Sequence, residues 1–240
     1  MPEKVVSGAS QAVGRIPDGA TIFVGGFGLC GIPENLLIAL KNKGAKNLTL
    51  ISNNGGTDEF GNGPLIKNGQ VKKMIMSYGG ECPAFESALL SGTLEVEWTP
   101  QGTLAERIRA GGAGIGGFYT PTGYGTVVAD GKETRVLNGK HYVFEKPLRA
   151  DFAFIKAFKG DSHGNLVFRK TARNFNQVMA TAADCVIAEV ETLVSVGTLD
   201  GDAVHTPGIY VDMIFQGVNY QKPIEKRTVH PQENTVHAQR

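Results

Sequence analysis

The stretch F-V-G-G-F-G-L-C-G-I-P-E-N-L, Phe23 to Leu36, decides the fold. It opens inside T-I-F-V (21–24), a short apolar run suited to a strand buried on both faces of a parallel sheet. Four glycines follow, Gly25, Gly26, Gly28 and Gly31. Pro33 then begins an apolar-periodic segment, with Glu34 near its start and Lys43-Gly44 at its end, which predicts a helix over 33–44. Strand, glycine loop and helix form the first half of a βαβ unit.

The same rhythm continues outward. Strands are predicted at 48–52, 71–78 and 94–98, alternating with helices at about 58–68, 83–90 and 101–110. This predicts an α/β fold, a mostly parallel sheet with helices on both faces. Residues 111–150 break the pattern with Gly, Thr and Tyr, and read as an irregular excursion with short antiparallel strands. A hairpin (151–158 with 165–170), a helix (171–183) and strands at 185–190 and 209–215 follow. From Gln221 the chain is polar and charged, a tail expected to be mobile or held by a partner.

Composition excludes several classes. The net charge is +1, which leaves no basic field for nucleic acid. No apolar run reaches the ~18–20 residues that cross a bilayer. The N-terminus lacks the apolar centre of a signal peptide, and Cys30, Cys82 and Cys185 are widely spaced, so a cytoplasmic, reducing location and no zinc site are expected. Glycine is abundant, 32 of 240 residues, and is gathered in loops that let backbone approach a ligand.

G-F-G-L-C-G (26–31) is a literal G-x-G-x-x-G. In a dinucleotide fold the third glycine lies in a helix already begun, and an acid ends the second strand. Here Pro33 delays the helix, and the second strand ends in Ser52-Asn53-Asn54, with Asp58 later and opening the next helix. Dinucleotide binding is therefore disfavoured. G-D-S-H-G (160–164) matches the nucleophile elbow, but a strand follows it where that elbow needs a helix, so Ser162 reads as a turn residue. His141, His163, His205, His230 and His237 lack metal-ligand spacing and read as solvated or capping. Glu95 and Glu97 share a strand face and read as solvated, and Cys30 as a small packing thiol.

Ligands of parallel sheets bind beyond the carboxyl ends of the strands. Those ends carry the glycine loop, then S-N-N-G-G, S-Y-G-G-E and T-P-Q-G-T, so Asn53, Asn54, Glu81 and Gln101 are expected to line one crevice. Side-chain amides bind a carboxylate or carbonyl oxygen without adding charge, which suits acyl or carboxylate chemistry.

Five segments together resemble the A half of the 3-oxoacid coenzyme A-transferases. They are D-G-A-T-I-F-V-G-G-F-G-L-C-G-I-P (18–33), S-N-N-G-G (52–56), T-P-Q-G-T-L-A-E-R-I-R-A-G-G-A-G (99–114), F-Y-T-P-T-G-Y-G-T (118–126) and F-R-K-T-A-R-N-F-N (168–176). The resemblance runs from about Val5 to Lys226 and implies one domain over 1–226 with a polar tail, 227–240. It implies ping-pong transfer of CoA between an acyl-CoA, such as succinyl-CoA, and a 3-oxo acid such as acetoacetate. An acetate- or butyrate-type transferase, or a non-catalytic acyl-CoA-binding module, stays open. Coenzyme A is implied as a substrate, with no permanently bound cofactor and no metal.

The resemblance also assigns Gly25, Gly26, Phe27, Gly28, Leu29, Cys30 and Gly31 to CoA contact, and Asn53 and Gln101 to the substrate pocket. The family's nucleophilic glutamate lies in a Ser-Glu-Asn-Gly segment, which this sequence lacks; Gln232-Glu233-Asn234-Thr235 is the nearest match. No catalytic residue is therefore assigned here. The implied partner is a B, or beta, subunit in an A2B2 assembly.

Overall fold

The computed structural model describes residues 4–224. Its main sheet contains β1 (Thr21–Val24), β2 (Leu48–Ile51), β3 (Val71–Met76), β4 (Glu95–Trp98), β8 (Ala150–Asp161), β10 (Ala183–Val194) and β11 (Met213–Gln216). Their order is β11-β10-β8-β1-β2-β3-β4, every neighbouring pair parallel, and β9 (Leu166–Val167) folds back antiparallel on β8. The excursion becomes a second sheet of β5 (Phe118–Thr120), β6 (Thr134–Leu137) and β7 (Lys140–Glu145), antiparallel in the order β5-β7-β6.

Strand alternation divides the core between the two faces of the main sheet. Ile22 and Val24 of β1 point one way, into a cluster with Leu36, Leu40, Leu50 and Phe85. That face is covered by α1 (Ala9–Val13), α2 (Glu34–Lys43), α3 (Gly63–Lys67) and α4 (Pro83–Leu90). Phe23 points the other way, towards Leu104 and Ile108 of α5 (Gln101–Ala113) and Phe175 and Met179 of α6 (Asn174–Met179). The expected α/β fold, with helices on both faces of a mostly parallel sheet, is what the chain adopts.

The topology also fixes where a ligand can enter. From β1 the chain winds outward through β2, β3 and β4, then crosses back to place β8 on the other side of β1. Neighbouring connections therefore leave β1 and β8 in opposite senses, the switch point at which parallel sheets commonly take a ligand. The glycine loop follows β1 at that point.

Several boundaries differ from the sequence reading. The helix expected at 58–68 is only Gly63–Lys67. Residues 57–62 form a turn, with the Thr57 N–H donating to Phe60. Asp58 does not open α3; its Oδ1 accepts the Ala84 N–H at 2.8 Å and so caps α4. The helix expected at 171–183 is shortened to α6 by a 3₁₀ turn at Lys170–Arg173. The strand at 209–215 begins only at Met213, because Gly208–Tyr210 is a 3₁₀ turn. Glu97 is half-buried and paired rather than simply solvated. It pairs with Arg107 at 2.8 Å and Lys73 at 3.4 Å, while Glu95 pairs with Lys73 at 2.8 Å. Ser162 lies in the turn between β8 and β9, as expected.

Gln221 and Lys222 are held by Glu34 rather than free: their backbone N–H groups donate to its carboxylate at 2.8 and 3.0 Å. The tail assigned to 227–240, with Gln232–Thr235, His230 and His237, lies outside the described residues.

Candidate functional site

β1 ends at Val24 because the next residue must admit a neighbouring side chain. Gly25 donates its N–H to Phe154 of β8 at 2.9 Å, and a Cβ added to it would meet Asn176 Oδ1 at 2.0 Å. Phe27 and Cys30 then exchange two backbone hydrogen bonds of 3.0 Å, closing a tight turn. Phe27 stands half exposed at its tip, whereas Leu29 is buried beneath it. Gly31 has φ 72°, and a Cβ there would meet the Ala172 carbonyl at 2.6 Å. Only glycine meets both demands without strain. The amides of Gly26, Gly28 and Leu29 have no backbone partner among the described residues. The helix starts at Glu34, so Gly31 remains in the loop and the dinucleotide arrangement is not formed.

Gln101 is exposed at the first position of α5. It lines a cleft of about 240 Å³ with Phe27, Ala105, Asn174, Phe175 and Val178. The structure thus brings the tip of the glycine loop and Gln101 together. Asn53, Asn54 and Glu81 share the carboxyl edge of the sheet but are not among the residues lining this cleft.

Hydrogen bonds show what the other three positions do. Asn53 is buried, and its Oδ1 accepts Ser77 Oγ at 2.9 Å, so this oxygen is used in joining the ends of β2 and β3. Asn54 Oδ1 accepts the Gly56 N–H at 3.2 Å, and its carbonyl takes Asn62 Nδ2 at 2.9 Å. Glu81 is exposed at φ 68° in the turn after β3. Cys30 is half buried with its Sγ 3.5 Å from Thr171 Oγ1. His205 acts as a cap: its Nδ1 accepts the Phe168 N–H at 2.9 Å.

Sequence reasoning missed a carboxylate cluster beneath the loop. Glu189 of β10 is fully buried, and its Oε2 accepts the Leu36 N–H at 2.9 Å. Burial, and then the charge of Glu34, push its pKa up to about 8, against the pull of the Leu36 N–H. Glu189 Oε1 and the neighbouring Tyr220 hydroxyl are buried with no well-formed hydrogen bond among the described residues. Burial also acts to raise the pKa of Glu191, but Lys156 at 2.7 Å and Lys222 at 2.6 Å outweigh it and hold this carboxylate low. A signal was present: an acid inside the apolar run C-V-I-A-E-V must be paired or protonated.

Also missed were Asn174 and Asn176. Asn174 Nδ2 donates to the Cys30 carbonyl at 3.0 Å, and Asn176 Nδ2 to that of Gly31 at 2.9 Å. Among the described residues, no three His, Cys, Asp or Glu side chains are grouped to hold a metal ion, and no helix is long and apolar enough to cross a membrane.

Comparison with known proteins gives the family. The probable A chain of the Bacillus subtilis succinyl-CoA:3-ketoacid coenzyme A transferase is 56% identical, over 94% of this chain and 95% of that one. Human mitochondrial succinyl-CoA:3-ketoacid coenzyme A transferase 2 is 48% identical over 93% of this chain, which spans only 47% of that protein. The crystal structure of an acyl-CoA transferase from Escherichia coli O157:H7, in a thioester complex with CoA, superposes with a TM-score of 0.82 at 27% identity, covering 92% of this chain and 48% of that one. The family model for coenzyme A transferase matches residues 6–217, and the chain belongs to that family.

Proposed function

We propose that this chain is the A half of a two-chain 3-oxoacid coenzyme A-transferase. It moves CoA between an acyl-CoA, with succinyl-CoA as the donor, and a 3-oxo acid such as acetoacetate. The reactive glutamate comes from a separate beta subunit, in an A2B2 assembly working in the cytoplasm. The observation that carries the reading is the cleft where Phe27 of the glycine loop meets Gln101, at the edge where β1 and β8 end. The match to 95% of the length of the Bacillus subtilis A subunit supports the division of labour.

The chemistry is acyl exchange between carboxylates. A partner glutamate oxygen attacks the thioester carbonyl, the C–S bond breaks, and CoA leaves as a thiolate. The thiolate then attacks the glutamyl carbonyl of the mixed anhydride, releasing the donor acid and leaving an enzyme–CoA thioester. The acceptor acid reverses both steps, so the thioester energy is kept and no water is consumed. The loop amides of Gly26, Gly28 and Leu29 are suited to contact the pantetheine arm or an oxygen bearing developing charge. Gln101 is suited to hold the acid's carboxylate. Asn53 and Asn54 shape the neighbouring loop, and Glu81 stands at its rim.

The test is reconstitution. The purified chain alone should show no acetoacetate-dependent release of succinate from succinyl-CoA, and supplying the beta subunit should restore it. Full exchange by this chain alone would overturn the shared-site reading.

A further inference from the structure

The hydrogen bonds around Asn176 describe more than a packed core. This amide is fully buried and makes an unusually complete set of bonds. Its Oδ1 accepts the Lys156 N–H of β8 at 2.9 Å, and its Nδ2 donates to the carbonyls of Gly31 at 2.9 Å and Ala172 at 3.0 Å. Phe154 of β8 presents its carbonyl to the Gly25 N–H, so Lys156, two residues on, presents its backbone to the same side. Had β1 continued past Gly25, it would have taken the Lys156 N–H. Asn176 takes it instead. One side chain thus satisfies the ladder, ends the strand and frees the chain to turn.

The same side chain touches both ends of the loop. It lies where a Cβ of Gly25 would sit, and it holds the carbonyl of Gly31. Asn174 adds the neighbouring carbonyl, Cys30, at 3.0 Å, and also binds the Thr171 carbonyl at 2.9 Å. The Cys30 carbonyl is itself the acceptor of the Phe27 N–H that closes the turn. Asn174 further lines the cleft with Phe27 and Gln101. An amide is required because only it offers an acceptor and two donors at one planar end. Aspartate keeps the shape but cannot donate to the two carbonyls, and alanine leaves buried backbone groups unpaired.

From this geometry we infer that Asn174 and Asn176 are positioning residues for acyl transfer. They fix the peptide planes of the glycine loop so that its amides and Phe27 meet the reacting thioester in one orientation. This rests on the transferase reading above, with the loop as the part of this chain nearest the chemistry. Misplacing a reacting group by about 1 Å costs on the order of a hundredfold in rate, so a small loop rotation is enough to matter.

The experiment compares wild type, Asn176→Asp and Asn174→Ala, each reconstituted with the beta subunit. The readouts are steady-state CoA transfer from succinyl-CoA to acetoacetate and amide hydrogen exchange of the isolated chain. In both variants kcat should fall about 10- to 100-fold, with the KM for acetoacetate changed less than about threefold. Exchange should quicken in 25–32 and stay unchanged in β2, β3 and β10. If Asn176→Asp does not fold, Asn174→Ala, at the partly open end of the clamp, carries the test alone. Wild-type kcat in a folded variant overturns the inference. So does a loss of kcat matched by faster exchange through the whole sheet, which would mark a purely structural role. Should the wild-type complex transfer no CoA, the transferase reading fails, and unchanged exchange in 25–32 of the variants would separately remove the clamp.

Discussion

Glu34 and Gln221 lie 187 positions apart in sequence and are joined by one hydrogen bond of 2.8 Å, from the Gln221 N–H to a carboxylate oxygen of the largely buried Glu34. The other oxygen takes the Lys222 N–H at 3.0 Å. One residue along, Asn35 and Val218 exchange two bonds of 2.9 and 3.1 Å, so the start of α2 holds the segment 218–222 side by side with it. Ile224 then comes within 3.9 Å of where a Cβ of Gly28 would lie. The end of the described chain is therefore strapped beneath the glycine loop.

Removing that carboxylate should loosen the strap. Glu34→Ala leaves two backbone N–H groups without their acceptor, a loss of about 1–3 kcal/mol. Urea unfolding should show a lower midpoint at unchanged slope, and amide exchange should quicken at Gln221 and Lys222. A midpoint unchanged within error would show that water replaces the carboxylate without cost.

Glu189 should make stability fall as pH rises. Its folded pKa is raised from 4.5 to about 8, chiefly by burial, so the folded chain binds more protons than the unfolded chain between those values. The contribution is fully present below about pH 4.5 and is lost as pH climbs through about 8. At ~1.4 kcal/mol per pKa unit the ceiling is roughly 5 kcal/mol. Glu189→Gln keeps an acceptor for the Leu36 N–H but does not ionise. Thermal unfolding from pH 5 to 9 should show a shallower decline in the variant. Parallel curves would mean that Glu189 titrates normally.

Arg107 should be among the residues least tolerant of change. Its guanidinium is mostly buried and bonds Glu97 at 2.8 Å, Thr99 Oγ1 at 3.1 Å and the Lys146 carbonyl at 2.9 Å. Glu145, at 3.7 Å, is 1% exposed and also pairs with Lys132 at 2.7 Å. These bonds tie α5 to β4 and to the end of β7. Arg107→Met leaves buried Glu145 and half-buried Glu97 with fewer partners. Loss of one partner of a fully buried pair typically costs about 3–5 kcal/mol, and the partial exposure of Glu97 places the expected loss at or below the low end of that range. Chemical unfolding measures the loss; one below about 1 kcal/mol would show that Lys73 and Lys132 suffice.

The sheet and its two helical layers were legible because their signals are local. T-I-F-V, L-T-L-I and the apolar β3 run are strands by composition, and Pro33, Pro83 and Gly44 mark helix ends, whereas α5 runs on through Gly111 and Gly112 to Ala113, past the end expected at 110. The glycine loop was legible for the same reason. What holds it in place was not. Asn176, Lys156 and Gly31 are brought together by crossovers of many residues, and no spacing in the sequence encodes them. Asn53 is a second case: its position at a strand end is legible, but Ser77, which bonds its oxygen, lies 24 residues away. Glu97 was misread because alternation gives the face of a strand, not what packs on it, and here that is Arg107.

Gln101 offers the cleanest separation of function from folding. It opens α5 with its side chain exposed, and its amide makes no hydrogen bond among the described residues, while Phe27 faces it across the cleft. An exposed side chain without partners contributes within about 0.5 kcal/mol to stability, so Gln101→Ala should unfold like wild type. If its amide holds the carboxylate of the acid during transfer, loss of that bond costs about 1.5–3 kcal/mol, or roughly ten- to hundredfold in kcat/KM for acetoacetate. The KM for succinyl-CoA should respond more to Phe27→Ala, which removes the apolar tip of the loop. Steady-state kinetics of both variants with the beta subunit checks the division. Equal losses for both substrates in both variants would mean that the cleft binds one shared portion of the two substrates rather than two distinct ends.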